Sequence, residues 1–88
     1  MPSFEWIDFL IARNKWSIKP FGGGERTEGI CRHIESELQE IRETPNDLME
    51  WVDVILLALD GAFRAGHTPI QVLTAIYKKH HINTERNW

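Results

Sequence analysis

The chain has 88 residues, 42% of them apolar and 26% charged, the balance of one small folded domain rather than a disordered segment. Its longest apolar run, residues 54–59, falls far short of the roughly 18 residues a membrane span needs, and no secretory signal is expected. The single cysteine, Cys31, excludes an internal disulfide and a cysteine-based zinc cluster, a net charge of −3 argues against non-specific nucleic-acid binding, and a cytoplasmic setting is expected.

The periodicity predicts four helices and no strand. Ser3 is placed to cap a first helix over residues 4–16, with Phe4, Ile7 and Ile11 at helical spacing. Lys19-Pro20 is expected to end it, and Phe21 with the three glycines that follow to form a loop. Thr27 is expected to cap a second helix reaching Glu43, with Ile30, Ile34, Leu38 and Ile41 as its inward stripe. After the break at Thr44-Pro45-Asn46, Asp47 caps a third helix that runs to Ala65 and stops at Gly66. Thr68, Pro69 and Gln71 then give a cap, a first-turn proline and a capping-box partner to a fourth helix. That helix carries Val72, Leu73 and Ile76 inward and reaches Asn83 or beyond. The expected fold is one all-α domain over residues 1–88, a four-helix bundle.

Such a bundle buries little apolar area by itself, because at about 25 cal/mol per Å² burial barely offsets the ordering entropy of a chain this short. The third helix is also apolar on nearly every side, with Leu48, Met49, Trp51, Val52, Val54, Ile55, Leu56, Leu57 and Leu59. A helix apolar all round must be surrounded by protein, so self-association as a dimer or tetramer is expected. Trp6 is expected in the core, Trp51 in packing or a subunit contact, and Cys31 and Met49 as filler.

Charge is strongly segregated. Residues 35–60 carry a balance of −7, whereas residues 61–88 carry +3. On the third helix Glu50, Asp53 and Asp60 fall within about 80° of one another, interrupting a segment that otherwise favours burial. On the second, Glu37 and Glu40 share a face with His33. The turn at Pro45 folds the two helices antiparallel, so that Glu37 and Glu40 face Glu50 and Asp53. Close ionised carboxylates repel by about 4 kcal/mol at an effective dielectric of 20, and protonation, basic neighbours or a bound cation relieves this. An oxygen-only set suits magnesium, with manganese as a substitute, better than zinc or copper. No EF-hand spacing is present, and neither acidic pair has the Glu-x-x-His form of a di-iron bundle. Innocent roles compete: a solvated face for Glu37 and Glu40, the capping-box acid for Glu50, and an ion pair with Arg64, one turn on, for Asp60. Asp53, flanked by Val52 and Val54 with no cation four residues away, has no such explanation.

At the other end, Lys79, Asn83 and Arg86 continue the stripe of Val72 and Ile76 within about 60° of each other. A lysine, an amide and an arginine on one face make a phosphate clamp, or else a basic terminus.

Taken together, these residues resemble the MazG-like all-α nucleoside triphosphate pyrophosphohydrolases, whose ExxE…ExxD signature matches Glu37, Glu40, Glu50 and Asp53. The small dATP/dGTP diphosphohydrolase branch, common in phages, is similar in further segments. These are Trp16-Ser17, Phe21-Gly22, Arg26, Gly29, His33-Ile34, Glu50-Trp51, Leu57 to Gly61, and Lys79…Asn83…Arg86-x-Trp88. The spacer between the acidic pairs, residues 41–49, is shorter than in many members of the superfamily. The resemblance implies magnesium-dependent cleavage of a nucleotide, dGTP or dATP, between the α- and β-phosphates, releasing monophosphate and pyrophosphate. It implies metal ligation and catalysis by Glu37, Glu40, Glu50 and Asp53, and phosphate binding by Lys79, Asn83 and Arg86. Asp60 and Arg64 would stand behind the ligands. It leaves open which carboxylate, if any, acts as general base. Trp16 and Phe21 would stack on the base beside Arg26, or else cap the core; His33 would contact phosphate, hold a ligand carboxylate, or lie on the surface. Each site would borrow side chains from a partner subunit, and in a phage the activity would shape the nucleotide pool for replication or feed a modified-base pathway. A reading of another class competes: a non-enzymatic helical protein-interaction module, such as a host-directed phage protein, whose acids form a binding surface.

Overall fold

Four helices, and no strand among the described residues, build the structure. The computed structural model describes residues 5–21 and 26–86, with backbone alone at residues 18–21. The helices are α1 (Trp6–Phe21), α2 (Thr27–Glu43), α3 (Leu48–Arg64) and α4 (Pro69–Glu85). The positions of Ser3, Phe4, the glycine loop and Trp88 lie outside the described residues.

The caps explain where the later helices begin and end. The Asp47 carboxylate accepts from Met49 N at 3.0 Å, starting α3. Gly66 ends that helix region with φ +104°, a conformation glycine adopts without steric cost. Thr68 and Gln71 exchange side-chain and backbone hydrogen bonds of 2.9 and 3.2 Å, with Pro69 opening α4. Two expectations are corrected. Thr27 does not cap α2: Arg26 holds the cap position with no side-chain cap bond, and its carbonyl accepts from Ile30 N at 3.0 Å. And α1 does not stop near Trp16 but continues to Phe21, carrying Pro20 in its last turn. Ser17 anchors that extension, since its side chain is buried and its carbonyl accepts from Arg64 Nη2 at 2.8 Å.

The antiparallel hairpin of α2 and α3 is the most extensive helix pairing. Its register places Ile30 beside Gly61, where an added Cβ would lie 3.7 Å from Ile30 Cγ2. Helix α1 runs parallel to α3, because Arg13 meets Asp60 and Ser17 meets Arg64, one turn apart on both helices. Among the described helices α2 packs its backbone closely against α3 alone, whereas α1 and α4 contact each other and α3.

The core joins α1, α3 and α4 through Leu10, Leu59, Phe63 and Val72, bordered by Phe9, Leu56, Ala62 and Leu73. It is small. Leu10, rather than Ile7 and Ile11, is the deepest residue of α1, and Ile11 is exposed. Trp6, expected in the core, is half-exposed and meets Phe9 edge-on at 5.6 Å. Cys31 and Met49 fill no interior space; both are exposed. Nor is α3 surrounded within one chain, since Leu48, Met49, Trp51 and Ile55 are at least half exposed. Between α3 and α4 lies an apolar groove of about 510 Å³ walled by Ile55, Ala58, Ala62, Val72 and Ile76, with Lys79 at its edge.

Candidate active site

The α2–α3 register brings two acids of α2 and one of α3 to a common point. Glu37, Glu40 and Glu50 each offer a carboxylate oxygen, and these oxygens lie within 4.8 Å of one another. Glu37 is buried, and Glu37 Oε2 and Glu50 Oε2 are both shielded from solvent without a hydrogen-bond partner. Glu50 is therefore more than a capping acid. Burial and the neighbouring Glu40 charge push its carboxyl up to about 7. A hydrogen bond to Glu40, burial, and the charges of Glu40 and Asp53 also raise Glu37 above the ordinary carboxylate range, while His33 opposes the rise.

Asp53 stands apart from the three-glutamate group. It is exposed and lines, with Glu37, a pocket of about 280 Å³ whose other walls are Arg13, Trp16, His33, Leu56 and Leu57. His33 Nε2 lies 3.3 Å from Glu37 Oε1, one helical turn away, so it holds a carboxylate of the cluster. The donors fit a hard divalent cation: they are oxygens only, they converge, and two buried oxygens lack protein partners.

A second pocket of about 240 Å³ adjoins the first, sharing Arg13, Trp16, His33 and Leu57, and extends to Ser17, Arg26, Gly29, Asp60 and Arg64. Trp16, Arg26 and His33 thus line one space next to the carboxylates, while the Phe21 side chain lies outside the described residues. Asp60 finds its partner on another helix rather than one turn on: Arg13 Nε and Nη2 donate to its two oxygens at 3.0 and 2.8 Å. Arg64 instead reaches the Ser17 carbonyl.

Arg13 is the residue that sequence reasoning missed. Its partner is 47 positions away, beyond any local pattern. Yet Arg13 lies three residues after Leu10 and four before Ser17, both buried, so it places a cation on an inward stripe. The mismatch that singles out Asp53 would also have found it.

Lys79, Asn83 and Arg86 lie along the last turns of α4 and at its C-terminal cap. Lys79 edges the α3–α4 groove, whose wall residue Ile55 lies about 140° around α3 from Glu50. Asn83 is half-buried and Arg86 exposed at the end of α4, which makes no close backbone contact with α2 among the described residues.

Comparison with curated proteins yields no match, and neither does comparison with solved structures. A family model described as dATP/dGTP pyrophosphohydrolase matches residues 5–88, covering all four helices and both acidic pairs. The chain therefore belongs to the dATP/dGTP pyrophosphohydrolase family, and it is a nucleoside triphosphate hydrolase rather than a non-enzymatic interaction module.

Proposed function

We propose that this chain hydrolyses dGTP or dATP between the α- and β-phosphates with magnesium, releasing the monophosphate and pyrophosphate, and that manganese can substitute. The observation that carries the reading is the convergence of Glu37, Glu40 and Glu50 on a point that buries two unpartnered oxygens, beside a pocket lined by Trp16 and His33.

Glu37, Glu40 and Glu50 would hold the ion, with Asp53 joining from the pocket wall. When bound, a hard divalent ion offsets the charge on the phosphate oxygens and orients and acidifies the attacking water. The rest falls to the chain. His33 keeps Glu37 oriented toward the cluster through their 3.3 Å contact. Trp16 and Arg26 receive the base in the adjoining pocket. The hydrocarbon walls Leu56 and Leu57 limit water between base and carboxylates. Asp60 and Arg64 support this layer from behind, through Arg13 and Ser17.

Phosphate oxygens are held by Lys79, Asn83 and Arg86 of a second copy. Their position on α4, which makes no close backbone contact with α2 among the described residues, favours contribution across an interface, and the exposed apolar α3–α4 groove favours that interface. The acidic balance of residues 35–60 and the basic balance of residues 61–88 are complementary between copies.

A panel of deoxynucleoside triphosphates with magnesium, scored separately for pyrophosphate and orthophosphate, tests the reading. Pyrophosphate from dGTP or dATP, lost in Asp53→Asn, is the expected result. Orthophosphate as the released product, or full turnover in Asp53→Asn, would refute the assignment.

A further inference from the structure

Arg13 links Asp60 to the aromatic wall of the site and lines both pockets. Its guanidinium is mostly buried, with 18% of the side chain exposed, and its fork closes on Asp60, whose side chain is 9% exposed. Its Cζ also lies 4.4 Å from the centroid of the Trp16 ring. Arg13 and Trp16 line both pockets together with His33 and Leu57, so the stacked pair forms part of the wall that connects the carboxylate side to the Arg26 side.

A buried ion pair is a poor device for stability alone, since well-packed apolar residues of similar volume usually do as well or better. What the fork does supply is direction. Two parallel hydrogen bonds to one carboxylate fix the plane of a guanidinium, which a single point charge does not. A planar cation held in that way favours one placement of the indole lying against it. Trp16 is about half exposed, and an exposed side chain without such a brace samples several rotamers.

We propose that Arg13 is a positioning residue: braced by Asp60, it fixes the Trp16 indole as the stacking platform for the purine ring of the bound nucleotide. The proposal rests on the reading above that the pocket takes the base, and it assigns selectivity for a large flat base to a preset aromatic wall rather than to hydrogen bonding alone. The arginine-rich lining offers one rival ligand chemistry, a phosphate chain in the same pocket, which the test separates.

Binding is measured apart from turnover, by titrating the magnesium-loaded protein with dGMP, with dAMP, and with inorganic tripolyphosphate, which has no base. Two variants are compared with the parent chain. Arg13→Lys keeps the charge but loses the fork and the planar stack; the paired Arg13→Leu, Asp60→Leu protein removes both charges and guards against a folding failure. Both variants are expected to bind dGMP and dAMP about tenfold more weakly, to hold tripolyphosphate as the parent does, and to show the loss in KM rather than kcat. The dGMP-dependent change in tryptophan fluorescence should shrink in parallel and should also be lost in Trp16→Leu. Unchanged dGMP binding in the two folded variants overturns the proposal. An equal loss for tripolyphosphate overturns it too, by assigning Arg13 to the phosphates. If the parent chain releases no pyrophosphate but binds dGMP in this Arg13-dependent way, the hydrolase reading fails and the positioning role stands.

Discussion

Glu50 sits under two constraints that act in the same direction, a helix position that buries one of its oxygens and two neighbouring carboxylates that repel its charge. Its carboxyl and that of Glu37 are both raised in the folded chain, so the native state binds protons that the unfolded state has released. Their contribution to stability is complete below pH 4.5, the ordinary value, and fades as pH rises through the folded value of about 7 for Glu50. Thermal unfolding in EDTA should therefore show a melting temperature that falls from pH 5 to pH 8, and magnesium should restore it most at pH 8. A flat profile in EDTA would contradict the repulsion. Glu50→Gln removes one charge from the cluster, so the metal-free variant should melt no lower than the parent at pH 8 while losing its response to magnesium. Its turnover should fall by at least about a hundredfold. These acids were legible because each interrupts or faces an apolar segment, a mismatch visible in a one-dimensional pattern. Arg13 and its pairing to Asp60 were not, because the partner comes from a helix 47 residues away.

Helix boundaries divide in the same way. Where a boundary is written in local chemistry, as in Thr68-Pro69-Ile70-Gln71 or at Gly66, the expected and observed ends agree. Where tertiary contacts decide it, local signals mislead. The burial of Ser17 and the bond from Arg64 hold α1 in helical form past Trp16, outweighing the single hydrogen bond that Pro20 forfeits in the last turn. Thr27 offers a cap-forming side chain, but Arg26 already accepts the first intrahelical bond. The Thr68 cap is exposed and remote from the carboxylates, so Thr68→Ala isolates its contribution to α4. Losing the bond from Gln71 N to the Thr68 hydroxyl should cost about 1 kcal/mol. For a domain of this size the melting temperature should then drop by roughly 4–8 °C, with little change in turnover per folded molecule. A melting temperature within a degree of the parent would mean that α4 is held by packing against α1 and α3 alone.

At the scale of the molecule, one chain leaves two problems open at once. It exposes Leu48, Met49, Trp51, Ile55 and Ile76, and α4, which ends in Lys79, Asn83 and Arg86, makes no close backbone contact with α2, the helix of Glu37 and Glu40, among the described residues. A second copy seated on the α3–α4 groove would solve both, because a two-fold contact covers the same groove on each copy and moves each basic end toward the other's acidic hairpin. The all-round apolar α3 gives the sequence a reason to expect association but no geometry for it, because the geometry depends on which side of α3 the other helices leave bare. Mixing two defective proteins tests the geometry. Glu50→Gln removes a carboxylate and Lys79→Ala removes a cation, and each alone should be nearly inactive. If Lys79 acts across the interface, subunit exchange in an equal mixture yields mixed dimers in which one site carries both defects and the other carries neither. With half the dimers mixed and half of their sites intact, activity should recover to roughly a quarter of the parent level. If Lys79 serves its own chain, every site in the mixture keeps one defect and no activity returns. Replacing Ile55 and Ile76 by glutamate in both proteins should abolish the recovery and lower the mass in solution to that of one chain, because charge placed in an apolar groove opposes its burial.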